Sequence, residues 1–176
     1  MNVVIVQGSP RTGSNSAAVA QFLQGAFEAN GASVTMLDVN QQPFPQFDFR
    51  EEKPPHFDHY SKTLNGADGI VFVTPEYNGG MSGALKNAMD HFRAELNRKP
   101  MGAVTVSSGP FGGLNALHNL YAWMLYNGGI PCPTKLLVSH VGELFNEAGE
   151  PTQEIFNENY PKFVQEFSWL VEKISQ

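Results

Sequence analysis

Residues 6–16, VQGSPRTGSNS, decide the fold: an apolar run ends at Val6, and Gly8, Ser9 and Pro10 lead into a loop that opens a helical stripe. Ala17, Ala20, Leu23 and Phe27 recur at helical spacing, and Gly31 stands where a C′ glycine would stop that helix. A short strand, a tight loop and a helix make the first βα unit of a parallel sheet. Gly8 and Gly13 have the separation of a triphosphate P-loop, but Ser14 and Asn15 occupy the places of its lysine and hydroxyl residue. Pro10 excludes the dinucleotide G-x-G-x-x-G pattern. What remains is a cradle for one terminal phosphate. The hydroxyls of Ser9, Thr12, Ser14 and Ser16 donate, Arg11 offers a planar charged fork, and a helix beginning near Asn15 adds free amides and a positive dipole end.

Further valine-rich runs at residues 3–6, 34–39, 69–73, 103–106 and 136–141 predict five strands, with helical stripes between them. Leu85, Ala88, Met89, Phe92 and Leu96 form the clearest stripe, read as one helix that serves either the core or a partner. Strand and helix alternate throughout, which predicts right-handed crossovers and a doubly wound α/β sheet with helices on both faces. Residues 40–58, NQQPFPQFDFREEKPPHFD, predict a long aromatic surface loop before a short helix at 60–65. The aromatics of residues 44–57 suggest reach toward a neighbouring subunit and an influence on substrate choice. Phe163, Phe167, Leu170 and Ile174 mark a last helix that Pro161 should start or break. Neither repeat nor linker divides residues 1–176, so one domain is expected.

With 17 acidic and 11 basic side chains the formal charge is −6, so an anionic ligand has to be held locally, and no nucleic-acid footprint is expected. The only cysteine, Cys132, forms no internal disulfide and reads as a packed thiol, which favours a reducing compartment. No apolar segment is long enough to span a bilayer, and the first residues lack a secretory pattern, so a cytoplasmic location is expected.

The more specific signal is VTPEYNGGMSGALKNAMDHF, residues 73–92. Pro75 stiffens the strand exit, and Gly79, Gly80 and Gly83 leave backbone bare, where a flat ligand can lie close. GSPRTGSNS, PEYNGGMSGALKNAMD and the later SSGPFGGLNAL together resemble the NADPH-dependent FMN reductase family, the flavodoxin-like group that includes quinone, azo-dye and chromate reductases. The resemblance implies a flavodoxin-like five-stranded parallel sheet of order 2-1-3-4-5 and an FMN cofactor. It implies that Ser9, Arg11, Ser14, Asn15 and Ser16 hold the FMN phosphate, that Pro75, Glu76, Tyr77, Asn78 and Gly79 line the ring, and that Ser107, Ser108, Gly109, Gly112 and Gly113 form a third loop at its other edge. Many members carry an arginine in the following helix, where this chain has Tyr121.

The implied chemistry belongs to the flavin, with no catalytic side chain: hydride passes from NADPH or NADH to N5, supported by backbone near Asn78 and Gly79. The oxidised nucleotide then leaves, and a flavin, quinone, azo compound or similar small acceptor takes the electrons in a ping-pong cycle. A flavodoxin-type electron carrier, with Tyr77 and Phe111 as shielding rings, and a non-catalytic nucleotide-binding module are the alternatives. The resemblance also implies a homodimer or homotetramer. His56, Asp58 and His59 lack a third ligand at a recognised spacing and are read as loop residues. His91, His118 and His140 are read as element-end residues, and Trp123 and Trp169 as core or interface anchors.

Overall fold

Valine-rich runs bounded by glycine, proline and aspartate fold here into parallel strands covered on both faces. In chain order the elements are β1 (Asn2–Gln7), α1 (Asn15–Ala29), β2 (Ser33–Asp38), α2 (Phe57–Asn65), β3 (Gly69–Tyr77), β4 (Gly80–Met81), α3 (Gly83–Met89), α4 (Arg93–Leu96), β5 (Pro100–Val106), α5 (Leu114–Tyr126), β6 (Ile130–Pro131), β7 (Leu136–Val138) and α6 (Glu154–Ile174). This computed structural model describes residues 1–48 and 52–175; residues 49–51 of the expected 40–58 loop, and residue 176, lie outside the described residues.

The parallel sheet runs β2-β1-β3-β5-β6, with β7 also on β5 and β4 antiparallel to β3. With β5 as the fourth strand and β6 and β7 as two halves of the fifth, this is the flavodoxin-like 2-1-3-4-5 arrangement. Alternate strand residues face opposite layers. Val3, Ile5, Val71 and Val104 pack against α1 and α6, while Val4, Val6, Ile70 and Phe72 pack against α2, α3, α4 and α5.

The structure departs from the sequence expectations in several places. The fifth strand is split, because Pro133 lies between two short runs and cannot donate to a ladder; the strand expected at 136–141 also stops at Val138, short of Val141. β3 runs on to Tyr77, and Pro75 fits inside it because β1 pairing ends at Gln7 and Val73 while β5 pairing continues to Pro75 and Val106. The glycine stretch after it folds into the β3–β4 hairpin.

The stripe at 85–96 is two helices. His91 and Phe92 donate backbone bonds to the carbonyls three residues back, Ala88 and Met89, and this tighter turn swings Phe92 into an aromatic cluster. There Phe92 stacks on Tyr60 at 5.6 Å and meets Phe57 at 5.0 Å, while Phe44 meets Tyr60 at 4.9 Å. Loop aromatics Phe44 and Phe57 therefore pack on this chain's own core, and the short helix starts three residues earlier than expected, at Phe57. All five residues of the 85–96 stripe are buried in the same chain.

Pro161 neither starts nor breaks the last helix. α6 passes through it, held on one side by buried Phe156 and on the other by Phe163, Val164 and Phe167, and this packing offsets the lost backbone bond. At the end of α1 the expectation holds: Gly31, at φ 85°, carries a Schellman pair, with Ala32 N donating to Phe27 O and Gly31 N to Glu28 O, each at 3.0 Å.

Candidate functional site

Three loops leave the carboxyl ends of β1, β3 and β5 and meet in one cleft of about 200 Å³. Ser9, Arg11, Gly13 and Ser14 of the first loop and Asn15 and Ser16 opening α1 line it, with Pro75, Glu76 and Tyr77 from the end of β3, Val106, Ser107 and Ser108 from the end of β5 and the loop after it, and Val141 beside them.

The first loop is pressed onto α3. Gly8 N donates to Val73 O at 2.8 Å, and a Cβ on Gly8 would sit 3.0 Å from Leu85 Cβ and 3.1 Å from the Val73 carbonyl, so a side chain has no room. Ser82 ties the two together: its hydroxyl donates to Gly8 O and accepts from Leu85 N, which makes it the N-cap of α3. Sequence reading missed Ser82, although a serine just before a helical stripe is a cap signal. Ser14 caps α1, accepting from Ala17 N at 3.1 Å, and buried Ser9 accepts from Arg11 N at 3.3 Å. Each hydroxyl keeps its own proton to donate elsewhere. Ser16 is buried in the first turn of α1, and Arg11 and Asn15 stand exposed at the lip.

The second loop is braced by Glu76. Its carboxylate accepts from Asn115 N at 3.0 Å, Ala116 N at 3.1 Å and Asn115 Nδ2 at 3.2 Å, so it caps α5 from another element. The Ala116 bond above all, with those of Asn115, holds its pKa below the ordinary carboxylate value, against a smaller opposing effect of burial. Tyr77 is 36% exposed at the lip. Asn78 and Gly79 lie beyond the cleft as the two central residues of the hairpin, with φ of 50° and 78°, the signs a type I′ turn requires. Asn119 Oδ1 accepts from Met81 N at 3.2 Å and fixes the returning strand to α5.

The third loop hangs on β7. Ser107 N donates to Val138 O at 2.9 Å, and Ser107 Oγ accepts from Gly109 N at 3.0 Å. Gly112 and Gly113 make the turn into α5 and do not line the cleft; Thr105 Oγ1 donates to Gly112 O at 2.8 Å, and a Cβ on Gly113 would lie 2.9 Å from Thr105 Cβ. Val106 and Val141 give the cleft an apolar strip that sequence reading did not single out. Tyr121 lies away from the cleft. Its hydroxyl donates to Cys132 O at 2.9 Å, and burial above all pushes its pKa up to about 12.

Other candidates sort as follows. Cys132 is buried, and burial raises its thiol pKa. Trp123 is core, whereas Trp169 is 54% exposed on α6. Among the described residues no three His, Cys, Asp or Glu side chains gather as a metal site. Larger grooves lie between α1 and α6, about 570 Å³, and along residues 45–48 and 52–57 beside His91, about 590 Å³. Among the described residues, neither gathers hydroxyls, an arginine and a helix N-terminus at the ends of strands.

A doubly wound fold whose carboxyl-end cleft gathers hydroxyls, an arginine and a helix N-terminus with the ends of two further strands defines a flavodoxin-like flavin-binding protein. The family model for NADPH-dependent FMN reductase matches residues 1–143. An NADPH azoreductase of Bacillus sp. (strain OY1-2) is 32% identical over 165 residues, 90% of each chain, and a quinone reductase of Pseudomonas putida KT2440 is 27% identical over 182 residues, 96% of this chain and 94% of that one. Among solved structures, the flavoenzyme NAD(P)H:(acceptor) oxidoreductase of Paracoccus denitrificans superposes with a TM-score of 0.85 at 22% identity, covering 98% of this chain and 97% of that one. The chain belongs to the NADPH-dependent FMN reductase family, oxidoreductases with FMN as cofactor and NADPH as reductant. Membership sets aside the electron-carrier and non-catalytic readings.

Proposed function

We propose that this protein takes a hydride from NADPH, or NADH, and passes electrons to a small acceptor, a quinone, azo compound or free flavin, in a ping-pong cycle at the cleft. The observation that carries this reading is the convergence of a phosphate-type loop and two strand-end loops on one cleft. The donor set fits FMN: one cation, several hydroxyls and a helix N-terminus suit a single phosphate, and among the described residues no second cation lines the cleft for a longer chain of phosphates.

FMN, when bound, supplies the hydride and electron chemistry. Ser9, Arg11, Ser14, Asn15 and Ser16 hold the phosphate. Pro75, Glu76 and Tyr77, with Ser107 and Ser108 and the neighbouring Gly109, would line the ring, and the hairpin at Asn78 and Gly79 beyond the cleft would meet the nicotinamide or acceptor. Val106 and Val141 exclude water from the interior end, which strengthens the fixed dipoles around the ring.

A homodimer or homotetramer belongs to the same reading, supported by Phe111, Leu125 and Tyr126, 75%, 63% and 76% exposed on α5 and the loop before it. No helix of the described residues is long and apolar enough to cross a membrane, and a cytoplasmic location is part of the proposal.

The test is the visible spectrum of the purified protein after FMN loading and removal of free flavin, followed by anaerobic NADPH. Retained flavin absorbance that bleaches supports the reading. A chain that retains no FMN under titration, or whose bound flavin stays oxidised, overturns it.

A further inference from the structure

The run VVIVQ ends β1 on a polar residue that faces neither solvent nor the cleft: Gln7 is 2% exposed and does not line it. Its side chain is fully engaged. Nε2 donates to Ser9 O at 3.2 Å and to Asp38 Oδ1 at 3.0 Å, and Oε1 accepts from Ser9 N. Asp38 Oδ1 also accepts from Asn40 N at 2.8 Å, and Asn40 Nδ2 reaches back to donate to Pro10 O at 2.6 Å. Thr12 Oγ1 lies 3.4 Å from Asn40 Oδ1. A closed circuit thus runs from the end of β1 to the end of β2 and back to the first loop.

The circuit takes hold of the carbonyl oxygens of Ser9 and Pro10. A carbonyl turned toward an anion repels it, so a loop built for phosphate has to point these oxygens elsewhere and leave donors facing the ligand. Gln7 and Asn40 are the donors that take up both carbonyls, and neither of the two lines the cleft. Asp38 orients these two by accepting from each.

We infer that Asp38 and Asn40, through Gln7, are positioning residues that set the phosphate affinity of the first loop from outside the cleft. The inference rests on the FMN reading and assigns a role to residues that touch no ligand. It also carries a sign that charge alone does not give. Asp38 is an anion close to an anion site, so by Coulomb repulsion its removal would tighten FMN binding; as a positioning acceptor, its removal loosens it.

Titration of the full chain with FMN and with riboflavin, which lacks the phosphate, separates the possibilities. Asn40→Ala is expected to weaken FMN about ten-fold, the worth of one well-placed hydrogen bond, with riboflavin changed by less than about two-fold. Asp38→Ala is expected to do the same, and Asp38→Asn, which keeps the acceptor oxygen and drops the charge, to retain FMN affinity. Gln7→Leu risks the fold, and half-buried Asn40 gives a milder variant of the same circuit.

Equal loss of both flavins in Asn40→Ala marks a merely structural role and overturns the inference, as does unchanged FMN affinity or tighter FMN binding by Asp38→Ala. Wild-type protein that prefers FMN to riboflavin while the variants keep that preference overturns the inference alone. Wild-type protein without that preference removes the phosphate contact and overturns the FMN reading together with it.

Discussion

The Glu76 carboxylate meets the first amides of α5, and that choice of partner has a measurable sign. Its folded pKa is lowered, so its stabilisation is present above the unfolded carboxylate value of 4.5 and is lost as pH falls through the lowered folded one. Glu76→Gln should lower the melting temperature at neutral pH by a few degrees, in keeping with a cap worth about 1 kcal/mol, and the two proteins should converge as the solution is made more acid. Parallel melting curves at every pH would count against the cap. Gly8 is a question of space alone. Gly8→Ala has to displace α3 or the Val73 carbonyl, and a loss of about 1–3 kcal/mol together with weaker flavin retention is expected, read by urea unfolding and FMN titration.

Among the elements, the hairpin after β3 is the one most dependent on two residues. Asn78→Ala forces a residue with a Cβ and no compensating side chain into positive φ, and a cost of about 1 kcal/mol is expected in chemical unfolding. Pro161→Ala should act in the opposite direction, returning an amide to the middle of α6 and raising the unfolding midpoint. The hairpin was hidden in the sequence because Asn-Gly, a strong turn signal, falls inside a string that also reads as a ligand loop. The end of α1 was legible because Gly31 and its Schellman bonds are local. Pro161 misled because its helix is held by phenylalanines contacting the far side of the sheet. The clustering of the three loops could be read ahead, since all follow strands whose order was expected. The tasks of Glu76 and Gly113 could not, because each is fixed by a partner on another element: Asn115 and Ala116 for the first, Thr105 for the second.

For the molecule as a whole, the exposed apolar residues of α5 set an expectation about mass. Light scattering should give a multiple of the 19.3 kDa chain, and Leu125→Asp, an exposed site without core contacts to lose, should shift the protein toward the single chain while its melting curve stays cooperative. A monomeric wild type would remove that expectation. The ties between loops have a consequence in time as well as in space. The first loop is synthesised before the elements that anchor it, since the Gly8 backbone is tied to Val73 and Ser82, and Ser107 in the opposite wall hangs on Val138 and Val141. A growing chain halted before residue 136 would already carry the donors assigned to the phosphate and Ser107 opposite them, but not the strand that holds Ser107 in place, so on the proposed assignment the cofactor waits for the last strand.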